Sequence, residues 1–120
     1  MNMLPSSHRF DIDAMRRRLG GDDILIAELI GLFVEDYPAQ LSAIEASIAA
    51  RRLDAVRRDA HALKGSASNL SASGVIQAAS ELERMAERGE AAGLDQQFGK
   101  LVIEVEQLAD ELRAAPPTRL

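Results

Sequence analysis

The sequence predicts an all-α fold: an up-down-up-down antiparallel four-helix bundle with a short extra N-terminal helix. Composition is the first indication, since 47% of the 120 residues are hydrophobic but only 3% are aromatic. Much of the apolar fraction is Ala and Leu, which favour helix. Periodicity is the second indication, because apolar residues recur three and four positions apart along four segments. The breaks between these segments are short, which makes successive helices antiparallel neighbours.

The N-terminal part is expected to hold a loose leader, residues 1–9, followed by a short helix over residues 12–19. Asp11 stands at the position of an N-cap for this helix. The pair Gly20-Gly21 ends it, since glycine readily adopts the left-handed conformation that terminates helices. We expect this short helix to cover one end of the bundle.

The first long helix is predicted to begin at Asp22 or Asp23 and to continue through Pro38. Proline removes one helical hydrogen bond and crowds the carbonyl of Val34, so we expect a kink there. Two helices divided at Tyr37-Pro38 are the alternative, but an unbroken apolar stripe on both sides favours one bent helix. That stripe consists of Ile26, Ile30, Phe33, Tyr37, Leu41, Ile44 and Ile48.

Three further amphipathic helices complete the domain, which is predicted to span residues 10–113. They are separated by breaks at Arg51-Arg52, at residues 71–74 and at residues 89–93. A tail over residues 114–120 contains a Pro pair that cannot continue a helix. The three apolar stripes are Leu53, Val56, Ala60, Leu63, Ala67 and Leu70; Val75 or Ile76, Ala79, Leu82 and Ala86; and Leu94, Phe98, Leu101, Val105, Leu108 and Leu112.

Charge and composition exclude several classes of function. The formal net charge is −5, whereas nucleic-acid binding requires a basic surface. The chain has no cysteine and only two histidines, so neither thiolate chemistry nor a His-rich metal site is expected. No apolar run is long enough to cross a bilayer, and the N-terminus lacks the apolar segment of a signal peptide. We therefore expect no bound cofactor or metal, no membrane partner and a cytoplasmic location.

The stretch DAHALKGSASNL, residues 59–70, carries the polar residues that suggest chemistry. At about 100° per residue, His61 points about 130° away from the centre of the apolar face. Gly65 lies nearly opposite the core, and Arg58 and Ser68 flank the same exposed side. Lys64 lies three residues after His61 on a neighbouring edge, where side chains meet.

This arrangement suits phosphoryl transfer. A neutral imidazole is a nucleophile that can accept a phosphoryl group, and the Lys64 ammonium would stabilise the charge of that group. Gly65 costs about 1 kcal/mol against Ala in a helix, and its bare backbone would let a partner's active site approach. Ser68 is also small. Arg58 and the neighbouring arginines make the region locally basic, which would steer an acidic partner pocket towards it.

Each of these residues also has an ordinary structural explanation. An exposed His or Lys on a helix is usually a solvated surface residue, and the arginines can form a solvated face. Gly65 can instead mark close packing against another helix. The combination favours function: His61, Lys64 at i+3, Gly65 at i+4 and a small residue at i+7, all on one helix of a bundle.

The segment AHALKGSASNL resembles the signature of histidine-containing phosphotransfer (HPt) domains, AHxLKGxxxxxG, and the likeness extends from Phe10 to about Arg113. The resemblance implies that His61 is phosphorylated from a receiver-domain aspartate or by a histidine kinase, and passes the group to a response-regulator aspartate. Lys64 and Gly65 match the other signature positions. Glu83 lies where related domains often place a hydrogen-bond partner of the imidazole, although it can equally be a surface residue of ELER.

The chain departs from the family pattern at two positions: Ser68 and Ser71 stand where family members often have glycine. Ser68 is small enough for docking to survive. Ser71 is expected to cap the following helix by satisfying a free backbone N–H. Neither departure removes the phosphoryl acceptor.

The leading hypothesis is a phosphorelay intermediate that acts as a carrier, without an ATP site, since no nucleotide-binding glycine loop is present. Its expected partners are receiver domains, which would supply the divalent metal, and a sensor or hybrid histidine kinase. We expect a monomer, with exposed Leu25, Leu29 or Leu32 available for partner contact. A helical adaptor in which His61 is inert is the runner-up. A hydrolase with His61 as general base is third, because an open helix face offers no substrate pocket.

Overall fold

The computed structural model describes residues 9–114, and within that range the chain forms five helices and no strand. The all-α prediction is therefore confirmed. Four long helices form the bundle: α3 packs between α2 and α4, and α5 packs against α4 and α2. The helices are α1 (Ile12–Arg18), α2 (Asp23–Ala49), α3 (Leu53–Asn69), α4 (Ser73–Glu87) and α5 (Leu94–Ala114).

The start of the fold follows the predicted capping residues. Asp11 Oδ1 accepts a hydrogen bond from the Ala14 N–H at 3.0 Å, so α1 begins as expected. Asp22 caps α2 in the same way, with Oδ1 3.0 Å from the Leu25 N–H, and α2 therefore begins at Asp23. Between the two helices, Gly20 and Gly21 have φ angles of 67° and 77°, a conformation that side chains disfavour.

Helix α2 runs unbroken through Pro38, so the interpretation as one helix is confirmed over the alternative of two. Pro38 is exposed, so its ring lies on the outer side of the helix, and the hydrogen bond that it cannot donate is the one to the Val34 carbonyl. The kink expected at this proline stays a prediction.

The core is built from the apolar stripes of the four long helices, closed at one end by Met15 of α1. Val75 is buried and Ile76 is half-buried, so Val75 rather than Ile76 belongs to the core-facing stripe of α4. Ile48, Leu53 and Phe98 were predicted to be full core members, but all three are only half-buried at the edge of the cluster. Each lies near an end of its helix, where fewer neighbouring side chains cover it.

The predicted role of Ser71 as a helix cap is wrong. Ala72 is the N-cap residue of α4 and no side chain bonds to that helix start. Ser71 instead has a φ of 52° and ends α3, with the Ala72 N–H donating to the Ala67 carbonyl at 3.1 Å. A turn this short needs a left-handed residue, which explains why glycine suits the position.

The leader and tail predictions fall mostly on residues 1–8 and 115–120, which lie outside the described residues. Arg9, placed in the leader, is tied to α5: its N–H donates to Glu111 Oε1 at 2.9 Å and its Nη1 to Glu104 Oε1 at 2.9 Å. Ala114, placed in the tail, is the last residue of α5. Over residues 9–114, no helix has the length and apolar character to cross a membrane.

Candidate functional site

His61 lies on the outer face of α3, with 64% of its side chain exposed. Its neighbours Ala60 and Leu63 are fully buried, so the helix is anchored directly beneath the imidazole. The predicted orientation away from the core is thereby confirmed. An imidazole in this position is open to a macromolecular partner.

Glu83 of α4 holds the imidazole from one side. The buried residues Ala79, Leu82 and Ala86 face the core, which leaves Glu83 at the edge of α4 nearest to α3. Its Oε2 lies 2.9 Å from His61 Nδ1, and its side chain is only 17% exposed. The sequence had left open whether Glu83 is a plain surface residue, and this contact excludes that alternative.

Lys64 binds the other oxygen of the same carboxylate. Its Nζ lies 2.8 Å from Glu83 Oε1, and 29% of its side chain is exposed. Glu83 thus bridges the imidazole and the ammonium. We define His61, Lys64 and Glu83 as the site triad. The direct contact between Lys64 and the phosphoryl group that the sequence suggested stays a prediction.

The environment keeps Glu83 ionised. Partial burial by itself raises the pKa of this carboxyl group, but the hydrogen bonds from Lys64 and His61 outweigh that effect and the pKa is lowered overall. An ionised carboxylate can only accept hydrogen bonds. It therefore selects the imidazole tautomer that carries its proton on Nδ1, which leaves the lone pair of Nε2 free.

Gly65 and Ser68 form a low surface beside His61. A Cβ atom added at Gly65 would meet nothing within 4 Å, so close packing against another helix, the structural alternative for this glycine, is excluded. Ser68 is exposed and its hydroxyl donates to the Lys64 carbonyl at 2.9 Å, which holds the side chain against the helix. Backbone is thus accessible one and two turns after the imidazole.

Arg58 lies on the same exposed side, one turn before His61. Its side chain is 66% exposed, and its nearest ion-pair contact is a long one, 3.8 Å from Nε to Asp59 Oδ1. A guanidinium held this loosely stays available to an external anion. The arginine therefore fits the predicted steering role, which stays a prediction.

On the other side of α3, a cavity of about 130 Å³ separates it from α2. Leu32 is 53% exposed at its edge, whereas Leu25 and Leu29, which were predicted to be exposed, are half-buried. Leu29 packs against the core cluster and lies opposite Ser66 and Asn69 of α3. We call this feature the α2–α3 groove, lined by Leu29, Leu32, Phe33, Asp36, Ser66 and Asn69.

Arg18 of α1 is a residue that the sequence did not single out. Its Nη2 donates to the Asn69 carbonyl at 2.7 Å and its Nη1 to Ser71 Oγ at 2.9 Å. A cation at the carboxyl end of a helix satisfies free carbonyls and opposes the helix dipole. The run of three arginines at residues 16–18 was visible in the sequence, but nothing local showed which one reaches α3.

No group of three His, Cys, Asp or Glu side chains is arranged to hold a metal ion within residues 9–114. The divalent metal predicted for the phosphotransfer reaction was assigned to the partner receiver domain. That assignment stays a prediction.

Comparisons with known proteins agree with this geometry. A family model described as the Hpt domain matches residues 28–115. The crystal structure of histidine-containing phosphotransfer protein B (HptB) from Pseudomonas aeruginosa PAO1 is similar in fold, with a TM-score of 0.82 at 23% identity over 90% of this chain and 94% of that one. No curated protein sequence gave a match. Because the family model covers well over half of the chain, including the whole site triad, the chain belongs to the Hpt domain family and is a phosphotransfer intermediate of phosphorelays.

Proposed function

We propose that His61 is the phosphoacceptor, with Nε2 as the reacting atom. It takes the phosphoryl group from a receiver-domain aspartate or a histidine kinase and passes it to the aspartate of a response regulator. The observation that carries this proposal is the contact of Nδ1 with an ionised Glu83 on an otherwise exposed ring. That contact leaves Nε2 as the only ring nitrogen with a free lone pair.

The transfer needs no proton to leave the ring. The Nε2 lone pair attacks phosphorus, and the N–P bond forms as the P–O bond to the aspartate breaks and its carboxylate departs. The ring then carries a positive charge, with the Nδ1 proton still donated to Glu83 Oε2. Because the carboxylate is negative, it stabilises this charged ring. The reverse sequence delivers the group to the next aspartate.

The chain contributes a nucleophile and a surface, while the partner contributes most of the catalysis. We assign the divalent metal that neutralises the transferring group to the receiver domain. The chain itself is a carrier without an ATP site or a cofactor of its own. Hpt domains pair with histidine kinases and receiver domains in phosphorelays, and we expect this chain to do so as a cytoplasmic monomer.

The surface for that partner centres on His61. Gly65 and Ser68 let the partner's loops approach the helix backbone, and Arg58 attracts its acidic pocket. A standard protein interface buries about 800 Å² on each partner, which is more than one helix face provides. We expect it to extend over the α2–α3 groove, where Leu32 offers exposed apolar surface.

The test is transfer of radiolabelled phosphate from a receiver domain that carries an aspartyl phosphate. Wild type and His8→Gln, which alters the only other histidine of the chain, should acquire acid-labile, alkali-stable label. His61→Gln should acquire none. Equal labelling of wild type and His61→Gln would exclude His61 as the acceptor. Binding of the receiver without labelling of any variant would instead favour an adaptor.

A further inference from the structure

The last turn of α3 is held from outside the helix, by α1. Arg18 Nη2 donates to the Asn69 carbonyl at 2.7 Å and, at a longer 3.4 Å, to the Ser68 carbonyl. The backbone N–H of Asp11, the N-cap of α1, donates to the Leu70 carbonyl at 3.3 Å. The final carbonyls of a helix lack partners within that helix. For α3, a separate element of the fold supplies donors to them.

Ser71, which follows this turn, is bound by the same guanidinium. Its φ of 52° lies in the left-handed region that residues with a Cβ atom disfavour. Its hydroxyl accepts a hydrogen bond from Arg18 Nη1 at 2.9 Å, and this bond stabilises the unfavourable conformation. The two ends of one guanidinium therefore fix both the end of α3 and the backbone of the turn that leads to α4.

Arg18 is mounted on a fixed support. Three residues earlier, Met15 is fully buried in the core, and Arg16 Nε lies 3.2 Å from Asp23 Oδ1 at the start of α2. Arg17, by contrast, is exposed, and its side chain has no hydrogen bond or ion pair within residues 9–114. Because α1 is anchored to the core and to α2, the contacts of Arg18 join the end of α3 to a rigid part of the bundle.

The backbone that Arg18 holds belongs to residues on the side of α3 that is open to a partner. Ser68 is exposed on the face that follows His61, and Asn69 lines the α2–α3 groove. A helix end whose carbonyls lose their partners frays. A partner that bound a frayed turn would have to order it, at a cost in affinity. Holding the turn in advance removes that cost.

We propose that Arg18 is a positioning residue for receiver docking. By fixing the last turn of α3, it presents Ser68 and Asn69 in one arrangement before the receiver binds. This inference rests on the proposed function, in which a receiver domain docks over the exposed face of α3. Because the guanidinium acts through the backbone of α3, it sets the affinity for the receiver and not the rate of phosphoryl transfer within the complex.

Two neighbouring variants test this role. Arg18→Met removes the hydrogen bonds, and Arg17→Met makes the same change of charge and side chain one position earlier, at an arginine that holds nothing in the described chain. The unphosphorylated receiver domain used in the labelling assay is titrated onto each variant. Arg18→Met should bind about three- to tenfold more weakly than wild type, since binding must now order the turn. Arg17→Met should bind like wild type.

The rate of transfer at saturating receiver separates affinity from catalysis, and it should equal the wild-type rate in both variants. Equal affinities of Arg18→Met and Arg17→Met overturn the inference. A slower rate of Arg18→Met at saturation also overturns it, because the arginine would then act on the reacting atoms or on the fold as a whole.

Amide hydrogen exchange of the free protein separates positioning from direct contact with the receiver. The Ser71 N–H closes the turn by donating to the Ser68 carbonyl at 3.0 Å. In Arg18→Met it should exchange about 10- to 100-fold faster, the size expected for loss of a charged hydrogen bond. The Gly89 N–H, in the turn between α4 and α5, should keep its wild-type rate. Weaker binding with unchanged exchange at Ser71 would mean that Arg18 contacts the receiver itself, and would overturn the inference.

Binding and exchange do not depend on the phosphoryl acceptor. Loss of labelling at His61 would leave both measurements unaltered. A wild-type chain that fails to bind the receiver overturns the proposed function. A wild-type chain that binds, with Arg18→Met binding equally well, overturns only the positioning role of Arg18.

Discussion

Helix α3 meets its two neighbours in different ways. Towards α4 it presents His61 and Lys64, whose contacts of 2.9 and 2.8 Å go to the mostly buried carboxylate of Glu83. Towards α2 its side-chain hydrogen bonds are long, 3.4 Å from Gln40 Nε2 to Ser66 Oγ and 3.3 Å from Ser47 Oγ to Asp59 Oδ2, and the exposed Leu32 lies at the edge of the α2–α3 groove. The ion-paired seam orients the imidazole, and the open seam leaves surface for a partner.

The difference shows how one helix can carry a reactive group that is both held and accessible. The hydrogen bond from His61 to the Glu83 carboxylate restricts rotation of the imidazole, but the ring stays exposed. Gly65 and Ser68, on the exposed face of α3 beside His61, leave the helix backbone accessible to a partner. Orientation therefore comes from the α4 side of α3, and access comes from its exposed face.

The largest expected effect is on the rate of phosphoryl transfer, when one polar contact is removed from the α3–α4 seam and compared with the same change in the α2–α3 seam. Glu83→Gln should slow phosphoryl transfer about 10- to 100-fold, because the charged hydrogen bond to Nδ1 is lost. Ser66→Ala should leave the transfer rate at saturating receiver unchanged and lower the free energy of unfolding by about 1 kcal/mol. Single-turnover transfer and urea unfolding measure the two quantities. Equal transfer rates in the two variants would remove the functional difference between the seams.

An intermediate effect is expected from a charge placed on the open seam. Leu32→Glu should weaken binding of the receiver about tenfold, since it replaces apolar contact by a charge that must be desolvated. The rate at saturating receiver should not change. Ile103→Glu is the matched control, because Ile103 is similarly exposed, at 57%, but lies on α5. Similar affinities of the two variants in a binding titration would show that the α2–α3 groove is not part of the interface.

The smallest effect concerns the glycine beside His61. Gly65→Ala should raise the free energy of unfolding by about 1 kcal/mol, since the added Cβ meets nothing within 4 Å, and should weaken receiver binding. Gly99 on α5 has the same open surroundings and provides the control. Gly99→Ala should raise the free energy of unfolding without changing the affinity for the receiver. If both variants bind the receiver like wild type, close approach to the backbone at Gly65 is not required.

Much of the bundle was predictable because helix periodicity is local. The stripes of α2 to α5, the caps Asp11 and Asp22 and the outward direction of His61 all follow from residues a few positions apart. The burial of Ile48, Leu53 and Phe98 was overestimated because burial near a helix end depends on neighbouring helices. Ser71 was misjudged because its side chain suggested a cap, whereas the turn required a backbone conformation.

The sequence by itself determined the helices, their order and the face of α3 that carries His61, since hydrophobic spacing decides which side of a helix is buried. Only the tertiary structure decided that Glu83 bridges His61 and Lys64, and that Arg18 rather than its neighbours caps α3. The His61–Glu83 and Arg18–Asn69 contacts join residues 22 and 51 positions apart. They depend on how far α1 and α4 rotate and approach when their apolar faces pack, which no local pattern specifies.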